Sequence, residues 1–244
     1  MSITIRKIQD EVGCAICGYE FIEFPNAIEL QCNLCGAKTT TNSYCVQHHF
    51  ICDNCLDLDV YGFIISVCLR SNSIDPLGLA VQIMNSPLVK MHGPEHHFIV
   101  PAVLLTCTHN FSKSNENLRD LLEKAKINAT KSAPDCSFHK GYCGASIGAG
   151  IFLNMLTNQD PDSENEWSEA NKLIALCVNR IDSSPGPRCC KRDTYLTLEE
   201  TIKYLKLKYA ILLPITEAKC TFSLRNKSCG REDCNFYNIG WSLV

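Results

Sequence analysis

The sequence predicts a mainly α-helical protein that begins with a small zinc-stabilised module of β-hairpin and knuckle turns. Residues 14–55 hold seven of the 17 cysteines together with two histidines, a density typical of a metal-binding module. Beyond about Asp57 the apolar residues instead recur at helical spacing. We therefore divide the chain into a cysteine-rich zinc-binding module over 1–60 and a mostly helical domain over 61–244 that carries a Cys/His metal or thiol site.

Four ligand pairs define the chemistry of the first module. They are Cys14 with Cys17, Cys32 with Cys35, Cys45 with His49, and Cys52 with Cys55. Two residues between ligands allow a knuckle turn that aims both side chains at one ion, so the set predicts two tetrahedral zinc sites. Such sites have no open coordination position, so we expect them to hold the fold rather than to catalyse. Consecutive and interleaved pairing both fit, and His48 could replace His49.

Residues typical of helix starts predict where the helices of the second domain begin. Asp75-Pro76 provides a helix start before an apolar face from Leu77 to Met84. Pro94 opens another helix, which we expect Pro101 to end or kink because proline lacks the interior backbone donor. Further helices are predicted over 116–128, 144–156, 164–180 and 194–209.

The first cluster of candidate residues in this domain is His92, Glu95 and His96. Imidazole nitrogens near a carboxylate can bind a metal or act as general acid and base. Gly93-Pro94 interrupts the backbone between the histidines, so they need not share a helix face. The alternative is that these residues cap a helix start.

The second cluster begins at Cys143 and continues through small residues to Gly150. A thiol at the start of a helix has a lowered pKa, because the helix amides carry partial positive charge there. Close helix packing alone would also explain the small residues, but it would not explain the cysteine.

The third cluster, Gly186 to Asp193, places Arg188, Lys191 and Arg192 around the vicinal pair Cys189-Cys190. The cations favour thiolates and attract an anionic substrate. A solvated basic loop with two incidental cysteines is the alternative.

The fourth cluster contains Cys220, Cys229 and Cys234 near the C-terminal end. Together with Cys189 or Cys190 they could supply the thiolates of a 4Fe-4S cluster, with structural zinc as the competing choice. We expect one of the vicinal cysteines to lie beside Cys220 and Cys229. We also expect the first and second clusters to face the pocket that these cysteines line.

Composition excludes some classes of function. With 23 Lys+Arg against 26 Asp+Glu, the net charge of -3 lacks the basic footprint of nucleic-acid binding. The sequence contains neither a signal-peptide core nor an apolar stretch long enough to cross a bilayer, so we expect a cytoplasmic protein without membrane contact. A reducing cytosol disfavours disulfides, and the cysteines therefore indicate metal or thiol chemistry.

Four blocks of sequence carry a family resemblance. They are MHGPEHHFIVPAVLL, GYCGASIGAGI, GPRCCKRDTYLTLEE and CTFSLRNKSC, followed by a further cysteine. In this order, over about residues 91–234, they resemble the uncharacterised prokaryotic domain-of-unknown-function family 5714. The spacing of Cys136 before the second block departs from the family pattern.

The resemblance implies a similar cysteine-rich front module and an association with radical-SAM or methyltransferase-like domains. It assigns no reaction to any residue. We expect this chain to act without such an attached domain, so that a partner enzyme would act in trans. The marked family positions are His92, Glu95, His96, Cys143, Arg188, Cys189, Cys190, Lys191, Arg192, Cys220, Cys229 and Cys234.

Three hypotheses follow. The first is an iron–sulfur enzyme of sulfur-transfer or lyase type, with the C-terminal thiols on the cluster, Arg188 and Arg192 on a small anionic substrate, and the histidine cluster moving protons. The second is a non-catalytic zinc-binding adaptor for a redox or cofactor-making enzyme. The third uses Cys143 as a thiol nucleophile or redox centre.

Overall fold

The computed structural model describes residues 7–8, 11–132, 141–157, 164–184 and 186–238. In these ranges the chain is mostly helical, with a small antiparallel hairpin in its cysteine-rich N-terminal part, so the predicted fold class is confirmed. Cys136 lies outside the described residues. The division of the chain at residue 60 stays a prediction.

The N-terminal part contains two small antiparallel sheets. Strands β1 (Lys7–Ile8) and β2 (Glu11–Val12) form the first, and β3 (Phe21–Gln31) and β4 (Lys38–Cys45) form the second. In the second hairpin Phe21 pairs with Cys45 and Gln31 with Lys38, with a register shift between Glu23 and Ile28. The hairpin therefore carries cysteines at both of its ends.

Eight helices follow the hairpin in the described part of the chain. They are α1 (Asp53–Leu56), α2 (Val60–Arg70), α3 (Pro76–Met84), α4 (Glu95–Ser112), α5 (Leu118–Ser132), α6 (Gly144–Leu156), α7 (Glu164–Asp182) and α8 (Cys190–Tyr209). A 3-10 turn spans Arg231–Asp233. None of the helices in the described ranges is long and apolar enough to cross a membrane.

Helix α4 is the centre of the helical part and packs against α2, α3, α5, α6 and α8. The expectation that Pro101 ends or kinks the helix is wrong as to its end, because α4 continues to Ser112. Residues on all sides of α4 are buried. The free energy gained from this burial compensates for the backbone hydrogen bond that is lost because proline has no N–H to donate.

The small residues of α6 allow it to lie directly against α4. A Cβ atom on Gly144 would stand 1.8 Å from the His97 ring, and one on Gly148 would stand 2.7 Å from the His97 carbonyl oxygen. Close packing therefore accounts for these two glycines. It brings the first residues of α4 and α6 together.

Helix α8 begins at Cys190, before the predicted start at residue 194. Cys189 is its N-cap residue, in extended conformation and without a side-chain capping bond. Lys191, Arg192 and Asp193 consequently lie in the first helical turn, where all three are buried.

Candidate metal centres and an adjoining cavity

The four ligand pairs of the first module form two clusters by interleaved pairing. The first cluster joins Cys14, Cys17, Cys45 and His49, and the second joins Cys32, Cys35, Cys52 and Cys55. Within each cluster the potential ligand atoms all lie within 4.8 Å of one another. Each cluster can therefore hold one metal ion. This interleaving follows from the hairpin, whose register puts Cys45 at one end and the turn with Cys32 and Cys35 at the other.

His49, rather than His48, completes the first cluster. Its Nδ1 atom lies 3.2 Å from Cys17 Sγ. Burial, with a smaller contribution from His48, lowers the pKa of His49, which favours the neutral imidazole that metals bind. The ring of His48 instead stacks on Tyr44 at 5.4 Å between centroids.

Backbone amides around these clusters donate hydrogen bonds that stabilise negative charge on the cysteine sulfurs. The N–H groups of Ile16, Leu34, Ala37 and Gln47 each donate at 3.4 Å to the sulfur of the cysteine two residues earlier. Burial raises the pKa of Cys32, but amide donors from Cys52, Cys35 and Leu34 outweigh it and bring the pKa to about 6. Thiolate ligands need this kind of stabilisation.

A second group of thiols lines one small cavity near the end of the described chain. This thiol pocket comprises Cys189, Cys220, Cys229 and Cys234. The backbone amides of Phe222 and Arg231 donate at 3.4 Å to the sulfurs of Cys220 and Cys229. As in the front clusters, each amide donates to the cysteine two residues earlier in the chain. The predicted neighbourhood of one vicinal cysteine with Cys220 and Cys229 is therefore confirmed, and the cysteine is Cys189.

Tyr195 forms part of the wall of the thiol pocket. Its side chain is fully buried, and its hydroxyl has no hydrogen-bond partner among the described residues. Burial, followed by the nearby Cys220 and Cys189, raises the pKa of this hydroxyl, which therefore keeps its proton. A buried donor without a partner is costly, and an anionic group in the pocket would satisfy it.

A separate cavity of about 350 Å³ lies where α4, α6 and α8 begin. This helix-start cavity is lined by His96, Cys143, Arg188, Cys190 and Asp193, among others. The expectation of one shared pocket is thus wrong: Cys143 and His96 share this cavity with Cys190, while Cys189 faces the thiol pocket. Because the backbone turns from extended to helical between them, the vicinal cysteines serve different cavities.

An ion pair between Arg192 and Asp193 joins the two cavities. Arg192 lines the thiol pocket, Asp193 lines the helix-start cavity, and Arg192 Nε donates to Asp193 Oδ1 at 3.0 Å. The other carboxylate oxygen of Asp193 accepts from Cys143 Sγ at 3.9 Å. Burial raises the pKa of Asp193, against the opposing effect of Arg192.

Several sequence-predicted residues have structural contacts instead of lining a cavity. Glu95 accepts the backbone N–H of Lys90 at 2.8 Å and folds back over Gly93. Lys191 donates to the carbonyl oxygens of Met84 at 3.1 Å and Val89 at 3.3 Å. Burial lowers the pKa of Lys191 to about 7. These contacts bind the loop before α4 to the first turn of α8.

His92 and His96 have different surroundings. The ring of His92 is half-buried near the side chain of Asn226, which donates to Cys189 Sγ at 3.7 Å. His96 is only 1% exposed, and its Nδ1 lies 3.1 Å from the Gly93 carbonyl oxygen. Burial, then Lys191, lowers the pKa of His96 well below its usual value, so the ring is neutral.

Sequence reasoning assigned no role in these sites to Tyr195, Asn226 or Asp193, although Asp193 ends the third cluster. Tyr195 and Asp193 belong to the sequence block GPRCCKRDTYLTLEE, which also contains Cys189 and Cys190. The sequence did not indicate that α8 buries these two side chains. The amide bonds to Cys220 and Cys229 had no sequence signal, because neither cysteine belongs to a two-residue pair.

Comparison with protein families gives one match. The chain matches DUF5714, a family of unknown function, over residues 64–237. The chain therefore belongs to this family, as its four sequence blocks predicted. Comparisons with curated proteins and with solved structures give no significant match.

Proposed function

We propose that the protein is an iron–sulfur enzyme of sulfur-transfer or lyase type that acts on a small anionic substrate. The thiol pocket carries this proposal, because it gathers one thiol from the start of α8 and three from the C-terminal segment around a single cavity. The front clusters are proposed to hold two structural zinc ions. A role in the cytoplasm is part of the proposal.

The spacing of the sulfurs favours a cluster over a third zinc ion. Zinc–sulfur bonds of about 2.3 Å in a tetrahedron put neighbouring thiolates about 3.8 Å apart. Sulfur–sulfur distances in the front clusters agree with this value. The Sγ atoms of Cys17 and Cys45 are 3.5 Å apart, and those of Cys35 and Cys52 are 3.6 Å apart. In the thiol pocket, by contrast, no three sulfur atoms of the described residues all lie within 4.8 Å of one another. A cluster binds each thiolate to a different iron and needs this wider spacing.

The walls of the thiol pocket also suit an anionic iron–sulfur group. Cys189, Cys220, Cys229 and Cys234 would hold it, and when bound it would supply electron transfer or Lewis acidity. The amides of Phe222 and Arg231 already donate to the sulfurs of Cys220 and Cys229, and the Tyr195 hydroxyl would donate to a sulfur of the bound group.

The helix-start cavity is the proposed place of reaction. It borders the same first turn of α8, and it contains the thiols Cys143 and Cys190, the neutral imidazole of His96 and the guanidinium of Arg188. Arg188 would orient an anionic group of the substrate, and His96 would move a proton.

A zinc-binding adaptor for a redox or cofactor-making enzyme is the second candidate. It is favoured by exposed apolar side chains at and beyond the end of α8. Leu207 is 82% exposed, Leu212 59% and Ile215 49%. Such a run of exposed apolar residues suits contact with another protein.

Ligand variants distinguish the two candidates. We expect Cys220→Ser and Cys229→Ser, purified without oxygen, to lose iron, sulfide and visible absorption while they retain zinc. The matched control is Cys190→Ser, which removes a neighbouring thiol that faces the other cavity and should retain iron. Iron loss in the Cys190 variant but not in the Cys220 variant would contradict the assignment. Wild-type protein that holds only zinc would favour the adaptor.

A further inference from the structure

We propose that the helix-start cavity binds small carboxylates that carry an electrophilic carbon, and that Cys143 is the nucleophile there. This inference deepens the proposed function by naming its substrate site. The reaction uses side chains of the cavity alone, and it can therefore be tested independently of the iron content.

The beginnings of three helices give the cavity its preference for anions. Cys143 is the N-cap of α6, Cys190 is the first residue of α8, and His96 lies in the first turn of α4. Helix N-termini carry partial positive charge and directed amide donors, which together favour an anion. The half-buried guanidinium of Arg188 adds a full charge on the cavity wall.

Two carboxylates also line the cavity without removing this preference. Asp193 is paired with Arg192, whose terminal nitrogen lies 2.9 Å from Asp193 Oδ1. Asp182 is exposed, where water screens its charge.

His96 gives independent evidence for a ligand. The contact of its Nδ1 with the Gly93 carbonyl oxygen assigns the ring proton to Nδ1 and leaves a lone pair on Nε2. Nε2 is buried and has no hydrogen-bond partner among the described residues, although His96 lines the cavity. A buried acceptor of this kind is satisfied by a proton or donor that enters the cavity.

The size and the walls of the cavity define the class of ligand. A volume of about 350 Å³ is within the range of small-molecule sites. Ala145, Val178 and Ile181 add apolar side chains to the lining of the cavity. A small organic acid fits these walls better than a bare inorganic anion.

The proposed step is a nucleophilic substitution. The proton of Cys143 passes to Asp193 Oδ2, the oxygen to which its sulfur donates at 3.9 Å, and the sulfur attacks the electrophilic carbon. A sulfur–carbon bond forms as the carbon–leaving group bond breaks, and the leaving group departs with its electron pair. Arg188 holds the carboxylate of the ligand during the attack.

Iodoacetate tests this proposal, because it is a small carboxylate whose carbon loses iodide to a thiolate. The full chain with its metals is treated separately with iodoacetate and with neutral iodoacetamide. The rate at Cys143 is followed by peptide mass spectrometry. We expect the iodoacetate-to-iodoacetamide rate ratio at Cys143 to exceed that of free N-acetylcysteine by about tenfold, which corresponds to one good charge-assisted contact.

Two variants separate the roles of the cavity residues. Arg188→Gln should lower the ratio to near that of N-acetylcysteine, while Arg119→Gln, which removes an exposed cation of α5, should leave it unchanged. Asp193→Asn should slow both reagents by about tenfold or more, as expected for loss of the group that accepts the thiol proton.

The proposal is overturned if wild-type Cys143 shows no more preference for iodoacetate than N-acetylcysteine does, or if Arg188→Gln keeps the preference. Should the Asp193 variant not fold, the Arg188 comparison still decides. Iron measured in the same samples keeps the two proposals apart. Anion preference at Cys143 in iron-free protein would leave this site standing and remove the iron–sulfur proposal.

Discussion

The ion pair of Arg192 and Asp193 has less solvent exposure than any other ion pair in the described ranges, with side-chain exposures of 8% and 6%. Removing one partner from a buried pair leaves the other charge without compensation. We predict that Arg192→Gln lowers the free energy of unfolding by about 3 kcal/mol. Arg188→Gln should change it by less than about 1 kcal/mol, since Arg188 is half-buried at a cavity wall. Urea unfolding of both variants measures the difference, and equal stabilities would contradict this interpretation.

His96 makes the stability of the fold sensitive to acid. Burial holds the pKa of folded His96 well below 6.5, whereas the unfolded residue titrates near its ordinary value. As the pH falls below about 6.5, the unfolded state binds a proton that folded His96 does not bind, so stability is lost. The limiting slope for one proton is about 1.4 kcal/mol per pH unit.

We therefore predict that His96→Gln is less acid-sensitive than the wild type. Denaturant unfolding between pH 7 and 5 would show the stabilities of the two proteins converging as the pH falls. Zinc measured in the same samples controls for metal release, which affects both proteins alike. Parallel pH curves would show that His96 does not titrate between the folded and unfolded states.

At the scale of elements, the interleaved clusters make the hairpin and its metal ions one unit. Each ion would join a knuckle just before or just after β3 to a later part of the chain, namely Cys45 and His49 in one cluster and Cys52 and Cys55 in the other. A hairpin alone has little independent stability, so bound ions would supply much of the folding energy of this region.

Double variants test the pairing. Cys14→Ser with Cys45→Ser changes two ligands of one cluster and should remove about one zinc ion per chain. Cys14→Ser with Cys32→Ser changes one ligand in each cluster and should remove about two. Consecutive pairing of the ligands would give the reverse order, and zinc analysis of the purified chains distinguishes the two arrangements.

Much of the element order could be predicted from local signals. Asp75-Pro76 correctly marked the start of α3, and the small residues after Cys143 correctly marked α6. The continuation of α4 through Pro101 could not be predicted, since it depends on burial by several other helices. The early start of α8 was missed because Cys189 is not a usual cap residue.

At the level of the whole molecule, the spacing of cysteines and histidines predicted the candidate metal ligands of the first module. It did not predict how the thiols of the helical part are divided between two cavities. Cys220, Cys229 and Cys189 were expected together and do lie around one pocket. The separation of Cys189 from Cys190 into two cavities depends on a single change of backbone conformation at the helix start. No property of the amino-acid sequence alone reports such a change.

We propose that the molecule combines two zinc sites with one iron–sulfur site. The decisive measurement is of zinc, iron and acid-labile sulfide together, on one preparation of the full chain purified without oxygen. We predict about two zinc, four iron and four sulfide per chain, since the front clusters provide two sets of four ligands and the thiol pocket four further thiols. About three zinc ions with neither iron nor sulfide would contradict the claim, because the thiol pocket would then be a third structural zinc site.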